Sequence, residues 1–142
     1  MTILTHLVVT ALAAQALHLE GRDLLLAYAF GVAPDLDHLL KVPLYLRSIG
    51  WQRRPGYHWR TSFQEPVALL WIVPLSMLLA TAVPVVFFAL HVAMDYAVGH
   101  EKLPLYPYSR YVTRGWLPRI PDRVKEGALL LCTILLLVWS RR

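Results

Sequence analysis

The feature that most constrains this chain is a run of 29 residues without a formal charge, from Pro66 to Met94. A second run without Asp, Glu, Lys or Arg covers residues 2–19. About 20 apolar residues in a helix are enough to cross the hydrocarbon core of a bilayer. The whole chain is 57% hydrophobic and 16% charged, whereas an average soluble domain is about 45–50% apolar and about 25% charged. The sequence therefore predicts an all-α integral membrane bundle, and it excludes a disordered chain.

Breaks in the apolar pattern divide the chain into about five predicted helices, with four to five membrane spans. Pro74, Pro84 and residues 80–83 favour a hairpin of two helices in the long uncharged run over one long helix. Pro34 is expected to break the second helix. The predicted helices cover residues 2–19, 24–46 (broken at Pro34), 64–81, 83–99 and 124–140.

Basic residues gather in two predicted loops, residues 47–62 and 100–123. The net charge is +5, and an excess of Lys and Arg is typical of loops on the cytoplasmic side of a membrane. We therefore expect residues 1–142 to form a single transmembrane helical domain, multi-pass in the inner membrane, with membrane lipids as partners. No nucleic-acid-binding module accompanies the charge, so a nucleic-acid partner is not expected. A fifth complete span would place Arg141 and Arg142 outside, which leaves open whether the last helix crosses fully.

Ionisable side chains inside apolar segments are costly and mark candidate functional sites. The hairpin topology brings the inner ends of four predicted helices, with their His and carboxylate groups, to the cytoplasmic face. One long span over residues 66–94 would instead separate Glu65 from Asp95. Imidazole and carboxylate groups without thiolates suit zinc, manganese or iron. The predicted metal ligands are His6, Asp35, Asp37, His38, His58, Glu65, His91 and Asp95.

Two parts of this set have recognisable spacing. Asp35, Asp37 and His38 follow a proline between apolar stretches. A solvated helix end explains one acid there, but two acids and a histidine favour a metal site. His91 and Asp95 are four residues apart and share a helix face, although such a pair is often only hydrogen-bonded.

The remaining candidates have plainer alternatives. His6 could be an interfacial histidine, and His58 lies among aromatic residues that could form a belt at the membrane interface. Glu65, just before a proline, could be an acid that favours a helix N-terminus. His18 is predicted at the opposite face and is left out of the site.

Five segments occur in order along the chain: Thr5-His6-Leu7, Gly31 with Pro34-Asp35-Leu36-Asp37-His38, the His58 segment, His91-x-x-x-Asp95, and Pro104-Leu105-Tyr106-Pro107. Over roughly residues 1–110, they resemble the LexA-regulated, YdjM-like family of predicted membrane-bound metal-dependent hydrolases. The resemblance implies a small multi-helix inner-membrane protein with a metal site. The family has a second histidine in its third segment, and Glu65 is the nearest residue here that could replace it.

The expected function is that of a membrane-embedded hydrolase with one or two divalent metal ions, zinc first. Its substrate would be a lipid or lipid-linked phosphoester, cleaved by water that the metal activates. Glu65 is expected as a ligand or general base and Asp37 as a catalytic ligand, and Arg60 or Arg54 could clamp an anionic group. The alternative is a non-catalytic membrane protein that binds metal, transports it or has a structural role. A transporter would carry its site near the bilayer midplane.

Overall fold

Five α-helices form the part of the chain that the computed structural model describes, which is residues 2–36, 42–43, 46–47, 62–98, 102–109, 111–113, 116 and 119–140. The helices are α1 (Ile3–Ala16), α2 (Gly21–Gly31), α3 (Leu69–Leu78), α4 (Val83–Val98) and α5 (Asp122–Trp139). Short 3-10 turns cover Ala33–Leu36, Ser62–Gln64 and Pro66–Ala68. Lys102 and Thr113 pair in an isolated antiparallel bridge. The predicted all-α class is confirmed within these residues.

Two tight turns end α1 and α3. His18 and Ala80 both have a φ of 51°, in the left-handed region. After α1, the amide of Leu19 donates to the carbonyl of Ala14 at 2.9 Å, which closes the helix end. The turn after α3 separates it from α4, so the long uncharged run forms two helices, as the hairpin prediction stated. Pro74 lies inside α3 and does not end it.

The predicted break in the second helix occurs just ahead of Pro34. Helix α2 ends at Gly31, and the chain continues as the 3-10 turn Ala33–Leu36. A proline lacks an amide hydrogen and disfavours helical geometry in the residue before it. This turn carries Asp35, which is 4% exposed.

The prediction of a membrane-spanning bundle is wrong, and with it the predicted transmembrane helices. Within the described ranges, no helix is both long enough and apolar enough to cross a membrane. Helices α1 to α4 have 10 to 16 residues, which is about 15–24 Å, against about 30 Å of hydrocarbon. Helix α5 has 18 residues, but its first turns carry the charged residues Asp122, Arg123, Lys125 and Glu126. The composition gives the fraction of apolar residues, but it does not show where turns divide the chain into short helices.

Helix α4 lies at the centre of the packing. It packs against α2, α3, α1 and α5, and α1 also packs against α2 and α5. Phe87 on α4 is 0% exposed and lies in a cluster with Ala14 of α1 and Ala27 of α2. The neighbouring Phe88 lies in a second cluster with Ala68, just ahead of α3, and Ile72 of α3. Burial of this phenylalanine pair therefore holds α1, α2 and α3 against α4.

Candidate metal centre

Four buried side chains from three segments meet beside α4. His6 comes from α1, Asp35 from the 3-10 turn after α2, and His91 and Asp95 from successive turns of α4. Each contributes one possible ligand atom, and these atoms all lie within 4.8 Å of one another. A buried cluster of two imidazoles and two carboxylates can hold a metal ion.

The spacing of the donor atoms suits coordination. His6 Nε2 lies 3.4 Å from Asp35 Oδ2 and 3.4 Å from Asp95 Oδ1. His91 Nε2 lies 3.8 Å from Asp35 Oδ1. Charge-assisted hydrogen bonds are shorter, about 2.7–2.9 Å. Two ligand atoms bound to one ion at about 2.1 Å can lie at most about 4.2 Å apart. The three pairs above are within this limit, and the four ligand atoms all lie within 4.8 Å of one another, so both the chemistry and the close approach of these groups suit a metal ion.

The orientation of His91 is set by a backbone carbonyl. Its Nδ1 lies 3.0 Å from the carbonyl oxygen of Gly31. A carbonyl oxygen can only accept, so Nδ1 carries the hydrogen of this bond, and in the neutral ring Nε2 keeps its lone pair for the cluster. His91 also stacks on the ring of His6, with centroids 4.0 Å apart and planes 20° from parallel. Metal-binding histidines commonly have such a second hydrogen bond.

Gly31 allows the close helix approach on which this geometry depends. A Cβ at this position would lie 2.5 Å from Thr10 Oγ1, 3.2 Å from Thr10 Cγ2 and 3.4 Å from Phe87 Cδ1. Thr10 is on α1, one turn beyond His6, and is 0% exposed. The glycine therefore brings α2 close to the helix that carries His6.

The four ionisable side chains of the cluster are almost completely buried. Asp35 and Asp95 are 4% and 1% exposed, and both histidines are 0% exposed. Two carboxylates removed from water are costly unless cations or hydrogen bonds compensate them. One such cation is Lys102, whose Nζ lies 3.8 Å from Asp95 Oδ2.

The structure brings together four of the eight predicted metal ligands. Glu65 is a described residue but is not one of the four clustered side chains. Its Oε2 instead accepts a hydrogen bond from the Tyr96 hydroxyl at 3.4 Å. Glu65 is 2% exposed, and the adjacent Gln64 donates to the carbonyl of Pro34 at 2.9 Å, next to Asp35. The predicted residues Asp37, His38, His58 and Arg60 lie outside the described residues.

Sequence reasoning missed Lys102. It stands in the predicted basic loop 100–123 among other basic residues, and no local spacing separates it from them. It is 3% exposed, and its backbone pairs with Thr113 farther along the loop. No local pattern predicts the packing role of Gly31, which lies in one of the segments of the family resemblance.

No family model, curated protein or solved structure matches the chain. The resemblance to the YdjM-like family therefore stays a prediction.

Proposed function

We propose that this protein binds a divalent metal ion through His6, Asp35, His91 and Asp95 and uses it in hydrolysis. The observation that carries this proposal is the close approach of four buried side chains, with three nitrogen to oxygen distances of 3.4 to 3.8 Å. The set of two imidazoles and two carboxylates accepts zinc, manganese or iron. The described cluster supplies four protein ligands for one ion, so the proposed hydrolysis requires a coordination number above four, with a further position for water.

The residues around that ion have different roles. The two histidines and two aspartates hold it, and the Gly31 carbonyl keeps His91 in the binding tautomer. When bound, such an ion supplies a water of lowered pKa and polarises a phosphoryl or carbonyl oxygen. The predicted role of Glu65 as general base is part of the proposal, since it is buried and attached through Gln64 to the Asp35 turn.

An apolar groove beside the cluster supports a lipid-like substrate. The groove has a volume of about 610 Å³, within the range of ligand sites. It adjoins the cluster because it includes both neighbours of Asp35 in the sequence, and because its Phe88 stacks on His91 with centroids 6.4 Å apart. A phosphoester with an apolar tail could place its head at the ion and its tail here. Residues of the lining include Phe30, Pro34, Leu36, Phe63, Trp71 and Phe88.

Metal titration tests the binding proposal. Protein freed of metal by a chelator is titrated with zinc, manganese and iron(II) separately, and affinity is measured by calorimetry. We expect the wild type to bind one equivalent tightly. Asp35→Asn and His91→Gln should lower the metal affinity at least about tenfold, because the loss of a group that only supports a ligand already lowers it by about 10–100-fold. His18→Gln is the matched control because His18 is an exposed histidine in the turn after α1.

Thermal unfolding gives a second readout of the same site. An ion at 100 times its Kd stabilises the folded state by about 2.7 kcal/mol, so the metal should raise Tm of the wild type and of His18→Gln equally, and that of Asp35→Asn by about half as much or less. Equal metal affinity in the wild type and Asp35→Asn would contradict the proposed site.

Turnover is tested with the metal-loaded protein and chromogenic phosphodiesters that carry either a methyl group or a long alkyl chain. We expect faster hydrolysis of the alkyl ester, and a loss of this preference in Trp71→Ala because Trp71 lines the groove. Glu65→Gln should lower kcat without removing the metal. Metal binding without turnover of either ester would support the non-catalytic alternative.

A further inference from the structure

Lys102 is a buried lysine at the edge of the metal cluster. It is 3% exposed, and its Nζ lies 3.8 Å from Asp95 Oδ2. The same Nζ lies 6.0 Å from the centre of the Tyr96 ring, a distance at which an ammonium is attracted to the aromatic face. A lysine is rarely buried to this extent unless its charge is compensated, so its position beside a ligand requires a reason.

The backbone around Lys102 is attached on both sides. Its amide donates to the Thr113 carbonyl at 2.8 Å, and the Thr113 amide donates to the Lys102 carbonyl at 2.9 Å. Farther along, the Trp116 amide donates to the carbonyl of Tyr96 at 3.0 Å, one residue after Asp95. These bonds join the segment that carries Lys102 to the last turns of α4, which carry Asp95.

The two aspartates of the cluster differ in how their oxygens are used. Asp35 directs Oδ2 to His6 and Oδ1 to His91. Asp95 directs Oδ1 to His6, but its Oδ2 lies near Lys102. Lys102 thus occupies the side of the Asp95 carboxylate that faces away from His6.

We propose that Lys102 is a positioning residue of the metal site. It holds Asp95 Oδ2 so that Oδ1 is presented to the ion, and it compensates the second buried carboxylate of the cluster. Removal of one partner of a buried ion pair leaves the other charge uncompensated. Groups that orient metal ligands from outside the first coordination sphere change metal affinity by about 10–100-fold when mutated. This inference rests on the proposed metal binding.

A second lysine provides a matched control. Lys125 on α5 is also buried, at 9% exposed, and its Nζ lies 2.8 Å from Asp122 Oδ1 three residues earlier on the same helix. Asp122 is not a member of the metal cluster. Both lysines therefore form an ion pair, but only the pair at Asp95 includes a proposed metal ligand.

The test titrates cobalt(II) into the metal-free full chain and follows its visible absorption. We expect Lys102→Met to bind cobalt about 10–100-fold more weakly than the wild type, with shifted visible bands because the Asp95 oxygen is no longer held. Lys102→Arg keeps the charge and should restore most of the affinity. Lys125→Met should bind cobalt like the wild type.

Circular dichroism of the metal-free variants separates positioning from a purely structural role. Equal cobalt affinity and an equal spectrum in folded Lys102→Met would overturn the inference, while the proposed metal site would stand if the wild type binds. If Lys102→Met does not fold, Lys102→Gln replaces it. If neither neutral variant folds without metal, Lys102 serves the fold itself, and the positioning role is overturned. Failure of the wild type to bind cobalt would instead count against the proposed metal site.

Discussion

Substitution of Gly31 by alanine should damage both the fold and the metal site. The added Cβ would lie 2.5 Å from Thr10 Oγ1 and 3.2 Å from Thr10 Cγ2. Thr10 is fully buried on a helix, so α1 and α2 have to separate at this point. The carbonyl of the same glycine accepts the hydrogen bond that orients His91. The added methyl group should therefore disturb both the packing of α1 against α2 and the orientation of His91.

The size of the effect follows from these contacts. Overpacking of a well-packed interior costs about 1–3 kcal/mol, and we expect this loss in the free energy of unfolding of Gly31→Ala. A hydrogen bond of the kind between Gly31 and His91 is worth about 0.5–1.5 kcal/mol net. Its loss would lower metal affinity by about tenfold at most, because 1.4 kcal/mol corresponds to a factor of ten.

The assay is urea unfolding of the metal-free protein in a double-mutant cycle with Thr10→Ala. Thr10→Ala removes both of the closest atoms, and the next nearest, Phe87 Cδ1, lies at 3.4 Å, an ordinary contact. We expect Gly31→Ala to cost less in the Thr10→Ala background, with a coupling of about 0.5–3 kcal/mol. Gly127→Ala is the control, since its Cβ would meet nothing within 4 Å on α5; it should stabilise the helix by about 0.5–1 kcal/mol.

Two results would refute this reasoning. Gly31→Ala could be as stable as the wild type, which would mean that the helices do not approach as closely as the distances indicate. Alternatively, its cost could be the same with and without Thr10, which would place the clash elsewhere.

Further predictions concern α5 and the core. Burial raises the pKa of Glu126, but hydrogen bonds from Thr2 and Thr5 outweigh it and leave the pKa below its ordinary value of 4.5. The charged form thus stabilises the fold above pH 4.5, and this contribution is lost as pH falls through the lowered pKa. Urea unfolding should therefore show Glu126→Gln less stable than the wild type at pH 7, with the difference vanishing in acid; a constant difference would contradict it. Phe87→Ala should lower the free energy of unfolding by about 3–5 kcal/mol, because Phe87 is fully buried between helices; a cost below that of a surface substitution, about 0.5 kcal/mol, would count against this core.

The candidate ligands were predictable because the sequence isolates them. His6, His91 and Asp95 stand in otherwise apolar segments, where an ionisable side chain needs a partner. The i, i+4 spacing on α4 also places two of them on one face. Selection of the clustered ligands from the wider set of acids and histidines was not predictable, because every member satisfied the same local criteria.

The membrane interpretation shows the limit of composition. A high apolar content predicts spanning helices only where the uncharged residues lie in one long helix. Gly31 ends α2 and the turn at Ala80 ends α3, so the same apolar residues belong to several short helices. Helix length is set by these local turns, and a composition percentage carries no information about them.

The helices and their ends are local properties, and most of them were accessible from the residues alone. Proline at position 34 and the short turn between α3 and α4 act on neighbouring backbone groups, so nearby sequence is sufficient to predict a break. The metal cluster depends on contacts across the chain: Gly31 and His91, which share a hydrogen bond, are 60 residues apart. Such a contact arises from the packing of whole helices, to which many distant side chains contribute. Only the tertiary structure could therefore bring Lys102 to Asp95 and select the four clustered ligands.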